Sequence, residues 1–162
     1  MLAEISIQNL GVIPSASAEL SAGLTVLTGE TGAGKSILLD CLGFVLGWRG
    51  RAELVRQGAA QGEVTAVFDL PAAHPARELL AEAGIEAGDE LILRRVNAAD
   101  GRKSGWVNDR RVSGEVLRQL SEVLVELHGQ HDDRGLLNPR GHRTLLDAFG
   151  ATDLSAVRRT WA

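Results

Sequence analysis

The sequence predicts an α/β domain built around a phosphate-binding loop, and three observations carry that reading. Residues Gly29-Glu30-Thr31-Gly32-Ala33-Gly34-Lys35-Ser36 match G-x-x-x-x-G-K-[ST]. A short apolar run with β-branched members, Leu24-Thr25-Val26-Leu27-Thr28, precedes the loop, and an almost uniformly apolar run, Ile37 to Leu46, follows it. Strand, loop and helix in that order are what the motif requires. Two further strand-like segments stand upstream, so a small antiparallel β region is expected beside the loop.

In chain order, Leu2 to Gln8 alternates through Ile5 and Ile7 and reads as a half-buried strand. Ile13 to Leu20, after Gly11, reads as a second, weaker strand; no helix separates the two, so they pair antiparallel. Ser21-Ala22-Gly23 turns the chain into the buried strand Leu24–Thr28. The helix of the loop runs through Leu46 and ends in the basic turn Gly47-Trp48-Arg49-Gly50-Arg51. Gly62 to Leu70 is a strand stopped by Pro71, and Pro75 to Ala83 a short helix closed by Gly84. Glu90 to Val96 and Ser104 to Asn108 are strands around the turn Asn97–Gly101. Ser113 caps a helix to Leu120. Val123-Leu124-Val125-Glu126-Leu127 reads as an apolar strand. Asn138-Pro139 opens a helix through Phe149, closed by Gly150. Thr152-Asp153 caps a last helix with Leu154, Val157 and Trp161 at helical spacing.

The loop's chemistry follows from its residues. Gly29, Gly32 and Gly34 allow the tight turn that brings backbone N–H groups of Glu30, Thr31 and Ala33 around a phosphate chain. Lys35 supplies a point charge to the terminal phosphates, and Ser36 offers a hydroxyl to Mg²⁺. A helix starting near Gly34 aims its positive end at the same anion. Chance supplies roughly 0.003 such matches in a chain of this composition, so the ligand is a nucleoside triphosphate.

Composition sets limits. The 162 residues suffice for one core, 44% are hydrophobic, and mean hydropathy is +0.01, as in a globular domain. A net charge of −4 gives no electrostatic case for nucleic acid. Of 17 cationic side chains only Lys35 and Lys103 are lysines. One cysteine, Cys41, falls in the apolar helix and fits a reducing cytoplasm. The first residues carry Glu4 and alternate, unlike a signal peptide, and no run approaches the roughly 18 apolar residues of a membrane span.

A second polar cluster, His128-Gly129-Gln130-His131-Asp132-Asp133, follows the strand expected at 123–127. Ligands gather at the carboxyl ends of strands in such sheets, so Gln130 could reach Mg²⁺ or an attacking water. His128, His131, Asp132 and Asp133 could hold zinc, but no further ligands stand at standard spacing. His142 and Asp147 read as surface groups of a helix. Arg94-Arg95, Arg102-Lys103 and Arg110-Arg111 form three basic pairs on adjacent strands and turns. They could make a phosphate patch; solvated hairpin tips are the plainer reading. Trp106 reads as core more than as a base-stacking platform.

A P-loop beside a small antiparallel region, with a Gln at the end of a later strand, resembles the N-terminal lobe of an ABC-type ATPase head. Within that superfamily, Val125-Glu126-Leu127-His128-Gly129-Gln130-His131-Asp132, Leu136-Leu137-Asn138-Pro139 and Leu145-Leu146-Asp147-Ala148-Phe149 resemble the bacterial RecN family of DNA repair proteins. That family is related to the structural-maintenance-of-chromosomes (SMC) proteins. Leu2–Leu10 and Leu54-Val55-Arg56-Gln57-Gly58 fit the same pattern. The resemblance implies that Gln130 is the glutamine near Mg²⁺ and that Arg49, with Arg51 as fallback, contacts the nucleotide. At 133 the family often has His, and here Asp133 stands. It implies an ATPase acting in double-strand break repair and recombination, in the cytoplasm with the nucleoid, with Lys35 and Gln130 in catalysis and Ser36 and Gln130 at Mg²⁺. The partners it implies are the C-terminal lobe of the same protein, a second head in a homodimer, and DNA, with no membrane.

Such a head also needs a signature loop, an Asp-Glu strand end and a switch His, none of which appears. The strand Val64–Asp69 ends in Asp69-Leu70-Pro71 instead. The expectation is therefore an incomplete head: residues 1–150 form the N-terminal lobe and 151–162 begin a helix leading to a coiled coil, so that the piece alone hydrolyses essentially no ATP. The competing reading is a compact P-loop kinase or other small NTPase. A GTPase is disfavoured by the lack of an Asn-Lys-x-Asp motif, and a binding module with a decayed loop by intact Lys35 and Ser36.

Overall fold

The computed structural model describes residues 1–28, 35–48 and 55–125, with Leu146, Phe149 and Gly150. The chain divides into two compact units, Met1–Val125 and Glu126–Ala162. In the second, Leu146 and Phe149 are helical and the Gly150 N–H donates to the Leu146 carbonyl at 2.8 Å, in keeping with a helix closed by Gly150. The start of that helix, and the one expected from Thr152, lie outside the described residues.

Strand-forming alternation dominates the first unit. Six strands form one sheet: β1 (Leu2–Leu10), β2 (Ile13–Glu19), β3 (Gln61–Asp69), β4 (Glu90–Ala98), β5 (Lys103–Val107) and β6 (Arg110–Val112). Their order is β2-β1-β3-β4-β5-β6, and every neighbouring pair is antiparallel. The helices are α1 (Lys35–Val45), α2 (Ala76–Glu82) and α3 (Gly114–Leu124). The antiparallel pairing expected of the first two strands is present, joined by the two-residue turn Gly11-Val12. There Gly11 takes φ +54° and lies against the Ile37 side chain at the start of α1. The β5–β6 hairpin was not foreseen. Asn108 turns it at φ +52°, and the Asn108 Oδ1 accepts from the Ile92 N–H at 3.0 Å.

The register sorts side chains onto two faces. One row runs Ile5, Ala66, Leu93, Val107 across four strands, and the next runs Ile7, Val64, Arg95, Gly105. Those rows face the core, where Ile5, Ile7, Val64, Ala66, Phe68, Leu91, Leu93 and Val107 are buried with Phe44, Leu117 and Leu120 of the helices. Burying each Val, Leu, Ile or Phe side chain among these stabilises the fold by about 1.5–3 kcal/mol. The opposite face carries the row Ser6, Thr65, Arg94, Trp106, Arg111. Around α2, Arg77 ties four carbonyls together, those of Leu70, Pro71, Ala87 and Gly88, at 2.8–3.2 Å.

Two expectations are corrected. Leu24–Thr28 is not a buried strand: among the described residues it pairs in no ladder, and Leu24, Val26 and Leu27 are exposed at 92%, 68% and 50%. An apolar run becomes a strand only when a neighbour takes its N–H and C=O groups, and among the described residues the sheet ends at β2, which pairs with β1 alone. Val123–Leu127 does not begin a strand. Ser113 caps α3, its Oγ accepting from the Val116 N–H at 3.4 Å, and the helix continues past Leu120 to Leu124. Leu117, Leu120 and Leu124 fall at helical spacing, so the apolar residues prolong the helix one more turn before Val125 becomes extended.

Candidate functional site

The phosphate-loop residues Gly29, Glu30, Thr31, Gly32, Ala33 and Gly34, together with Arg49, Arg51 and Gln130, lie outside the described residues, as do His128, His131, Asp132 and Asp133. Lys35 opens α1, and Ser36 sits exposed in its first turn. A helix therefore starts where the motif requires it. Its first turn holds no acidic side chain, so the positive end of the helix is not neutralised from within and suits an anion. Among the described residues no group of three or more His, Cys, Asp or Glu could hold a metal ion. The Ser36 hydroxyl is the described group that fits Mg²⁺.

Beyond its first turn α1 is a core helix. Cys41, Leu42, Phe44, Val45 and Leu46 are buried, whereas Leu39 is half-exposed. Burial, and then the neighbouring Asp40, push the Cys41 thiol up to about 12. The helix ends in a Schellman motif. The Gly47 N–H donates to Phe44 O at 3.1 Å and the Trp48 N–H to Gly43 O at 3.0 Å, with Gly47 at φ +87°. A Cβ on Gly47 would stand 2.8 Å from both Arg118 N and Gly114 O, and one on Gly43 2.9 Å from the Trp48 ring. Only glycines permit α1 to end this close to α3 with Trp48 folded back over it.

The last turn of α1 carries no basic residue, and β4 supplies one. Arg95 is 8% exposed, and its guanidinium donates to Phe44 O at 2.6 Å and Trp48 O at 3.1 Å and lies 4.8 Å over the Phe44 ring. Desolvation lowers its pKa from the ordinary arginine value. The carbonyl end of α1 and the ring face offset that cost. Next to it on the same face, Asn97 is fully buried with neither Oδ1 nor Nδ2 hydrogen-bonded among the described residues.

The three basic pairs do not form one patch. Strand alternation sends Arg95 inward and Arg94 outward, where Arg94 donates to both Glu63 carboxylate oxygens at 2.8 and 2.9 Å and stacks 4.8 Å over Trp106. Arg102 pairs with Asp100, Arg110 donates to Gly84 O, and Arg111 donates to Ser104 Oγ. Trp106 is half-buried under Arg94. Reading the Arg94-Arg95 dipeptide as one basic unit missed the role of Arg95. The signal was there in the period of two, which puts Arg95 on the face of Leu91 and Leu93.

A cleft of about 420 Å³ opens on the first unit between Asn9 and the segment Arg56–Gln61. The Arg56 N–H donates to Asn9 O at 2.9 Å across its edge.

Comparison with known proteins places this architecture. The family model described as AAA domain matches residues 4–89, from within β1 through α1, β3 and α2. This chain belongs to the AAA domain family. Along 99% of its length it is 40% identical to the DNA repair protein RecN of Bacillus subtilis, of which it spans 28%. It is 41% identical over 98% of its length to the RecN of Vibrio cholerae, spanning 29% of that protein. The chain thus spans less than a third of the curated relatives it matches. Among solved structures, one from a study of ATP-driven dimerization and DNA-stimulated activation of SMC ATPases matches with TM-score 0.66 and 23% identity, over 90% of this chain and 97% of that one. The recombination mediator protein RecF bound to ATP matches with TM-score 0.57 and 20% identity, over 71% of this chain and 29% of that one. The fold is that of the P-loop NTPase heads of SMC and RecF proteins, and the RecN resemblance read from the sequence holds along the whole chain.

Proposed function

We propose that this chain is the ATP-binding N-terminal lobe of an SMC-like ATPase that acts in bacterial DNA double-strand break repair and recombination. The observation that carries the reading is an intact G-x-x-x-x-G-K-[ST] ahead of α1 in a chain 40% identical to RecN over 99% of its length. In this reading residues 29–36 cradle the phosphates, Lys35 neutralises them, Ser36 and Gln130 hold Mg²⁺, and Arg49 contacts the nucleotide. Residues 1–150 make up the lobe and 151–162 begin the coiled-coil helix. Phosphoryl transfer needs cradling, Mg²⁺, a positioned water and stabilised charge. The first two come from this chain. The acidic and signature-loop groups come from a C-terminal lobe and a second head, so the isolated chain binds ATP weakly and turns over essentially none. DNA is the partner that relatives named for DNA repair imply, in the cytoplasm with the nucleoid. Among the described residues no helix is long and apolar enough to cross a membrane.

The test is phosphate release by the full-length protein with and without DNA, beside Lys35→Ala and Gln130→Ala. The reading expects DNA-stimulated turnover that Lys35→Ala abolishes, and that Gln130→Ala lowers far more than it weakens ATP binding. Lys35-dependent multiple turnover by residues 1–162 alone would favour the compact small-NTPase reading.

A further inference from the structure

The C-terminal end of α1 is held more elaborately than a core helix requires. Groups from two elements, β4 and α3, converge on it. Arg95 of β4 donates to Phe44 O and Trp48 O from one guanidinium nitrogen, Nη1, which bridges the last helical turn and the residue past the cap. Trp48 Nε1 donates to the Ser121 Oγ of α3 at 3.3 Å, and that hydroxyl donates on to Arg118 O at 2.7 Å. Gly47 sits against the backbone of Gly114 and Arg118. On the other side, Gly105 lets Leu117 of α3 close onto β5: a Cβ there would stand 2.7 Å from Leu117 Cδ1. The Arg95 guanidinium also lies 3.6 Å from where a Cβ on Gly114 would be. These contacts tie the C-terminal end of α1 to β4 and α3.

A buried guanidinium is an expensive way to fill space, and an apolar side chain would be cheaper. It does supply directional bonds that fix one helix position. We propose that Arg95 is a positioning residue for the nucleotide site: with Trp48 and Ser121 it locks the P-loop helix to α3, so that nucleotide binding at the N-terminal end of α1 moves α1 and α3 as one body. This inference rests on the ATP-binding reading.

Hydrogen exchange in the full-length protein tests it, with and without Mg-ATP, in wild type, Arg95→Lys and Trp48→Phe. Lysine keeps the charge, but its shorter stem draws the donor back from the two carbonyls and it has no planar group to lie over the Phe44 ring. Phenylalanine removes the donor to Ser121 and keeps an aromatic ring at this position, so it serves if the lysine variant does not fold. In wild type, Mg-ATP should slow exchange in α1 and in residues 114–124. In both variants α1 should still respond, while the α3 response falls at least about five-fold. Turnover should fall by a similar factor at nearly unchanged ATP affinity, a split that general loosening of the fold does not produce. An undiminished α3 response in folded variants overturns the proposal. So does a wild type that binds Mg-ATP without changing α3, which leaves the nucleotide reading standing. A wild type that binds no Mg-ATP removes that reading and this inference with it.

Discussion

Gly47→Ala should be among the most damaging single-methyl changes in this chain, and the structure gives its size. Gly47 has φ +87°, where an L side chain costs about 1–2 kcal/mol. Its new Cβ would also stand 2.8 Å from Arg118 N, 2.8 Å from Gly114 O and 2.9 Å from Leu117 Cβ. All three belong to α3 and none is the tip of a flexible side chain, so helix and cap must separate, at a further cost of about 1–3 kcal/mol. The sum is about 2–5 kcal/mol, a large fraction of an ordinary domain's stability. Gly58→Ala is the matched control, because Gly58 has the same φ of +87° with nothing within 4 Å of the added Cβ. It should cost only the backbone share, about 1–2 kcal/mol. Urea unfolding of wild type and both variants, compared by midpoint at constant slope, reads the difference. Equal losses, within about 0.5 kcal/mol, would refute the close approach of the α1 cap to α3.

Three other outcomes follow from the same packing. The Cys41 thiol stays protonated to about 12 in the fold, against 9.0 when unperturbed. Stability is therefore independent of this group below about pH 9 and falls as pH rises from 9 toward 12, by about 1.4 kcal/mol per unit. Cys41→Ala should remove that slope in pH-dependent urea titrations, and the native thiol should resist disulfide exchange reagents. Arg77→Ala should cost about 1–3 kcal/mol in thermal unfolding by freeing the carbonyls of Leu70, Pro71, Ala87 and Gly88, and Arg77→Lys should not rescue it. Asn97→Leu should raise the unfolding midpoint, since a buried amide without partners costs about 1–3 kcal/mol and Asn97 has none among the described residues.

What could be read in advance was set by period and punctuation. Alternation through Ile5 and Ile7, and through Val64, Ala66 and Phe68, placed β1 and β3 on the core, because a half-buried strand writes its faces into every second residue. Ser113 and Gly84 marked helix ends through side-chain and backbone geometry that depends on few neighbours. Continuous apolar runs misled. Leu24–Thr28 and Val123–Leu127 look alike, and what becomes of them depends on whether a ladder or a preceding helix takes them up. β6 escaped notice because three residues, two of them arginines, carry no pattern. At the site, the motif marked where α1 begins, with Lys35 as its first residue. The lock at the far end of α1 is a tertiary feature assembled from Arg95, Trp48 and Ser121, and nothing in their sequence spacing announces it.

The most direct measurement of the central claim is a titration of a fluorescent ATP analogue, with Mg²⁺, into the full-length protein and its Lys35→Ala variant, with circular dichroism confirming that both are folded. Losing one charge-assisted phosphate contact should weaken binding by about 1.5–3 kcal/mol, which is about 10- to 150-fold in the dissociation constant. Equal affinities in two folded proteins would contradict the assignment of residues 29–36 as the nucleotide site.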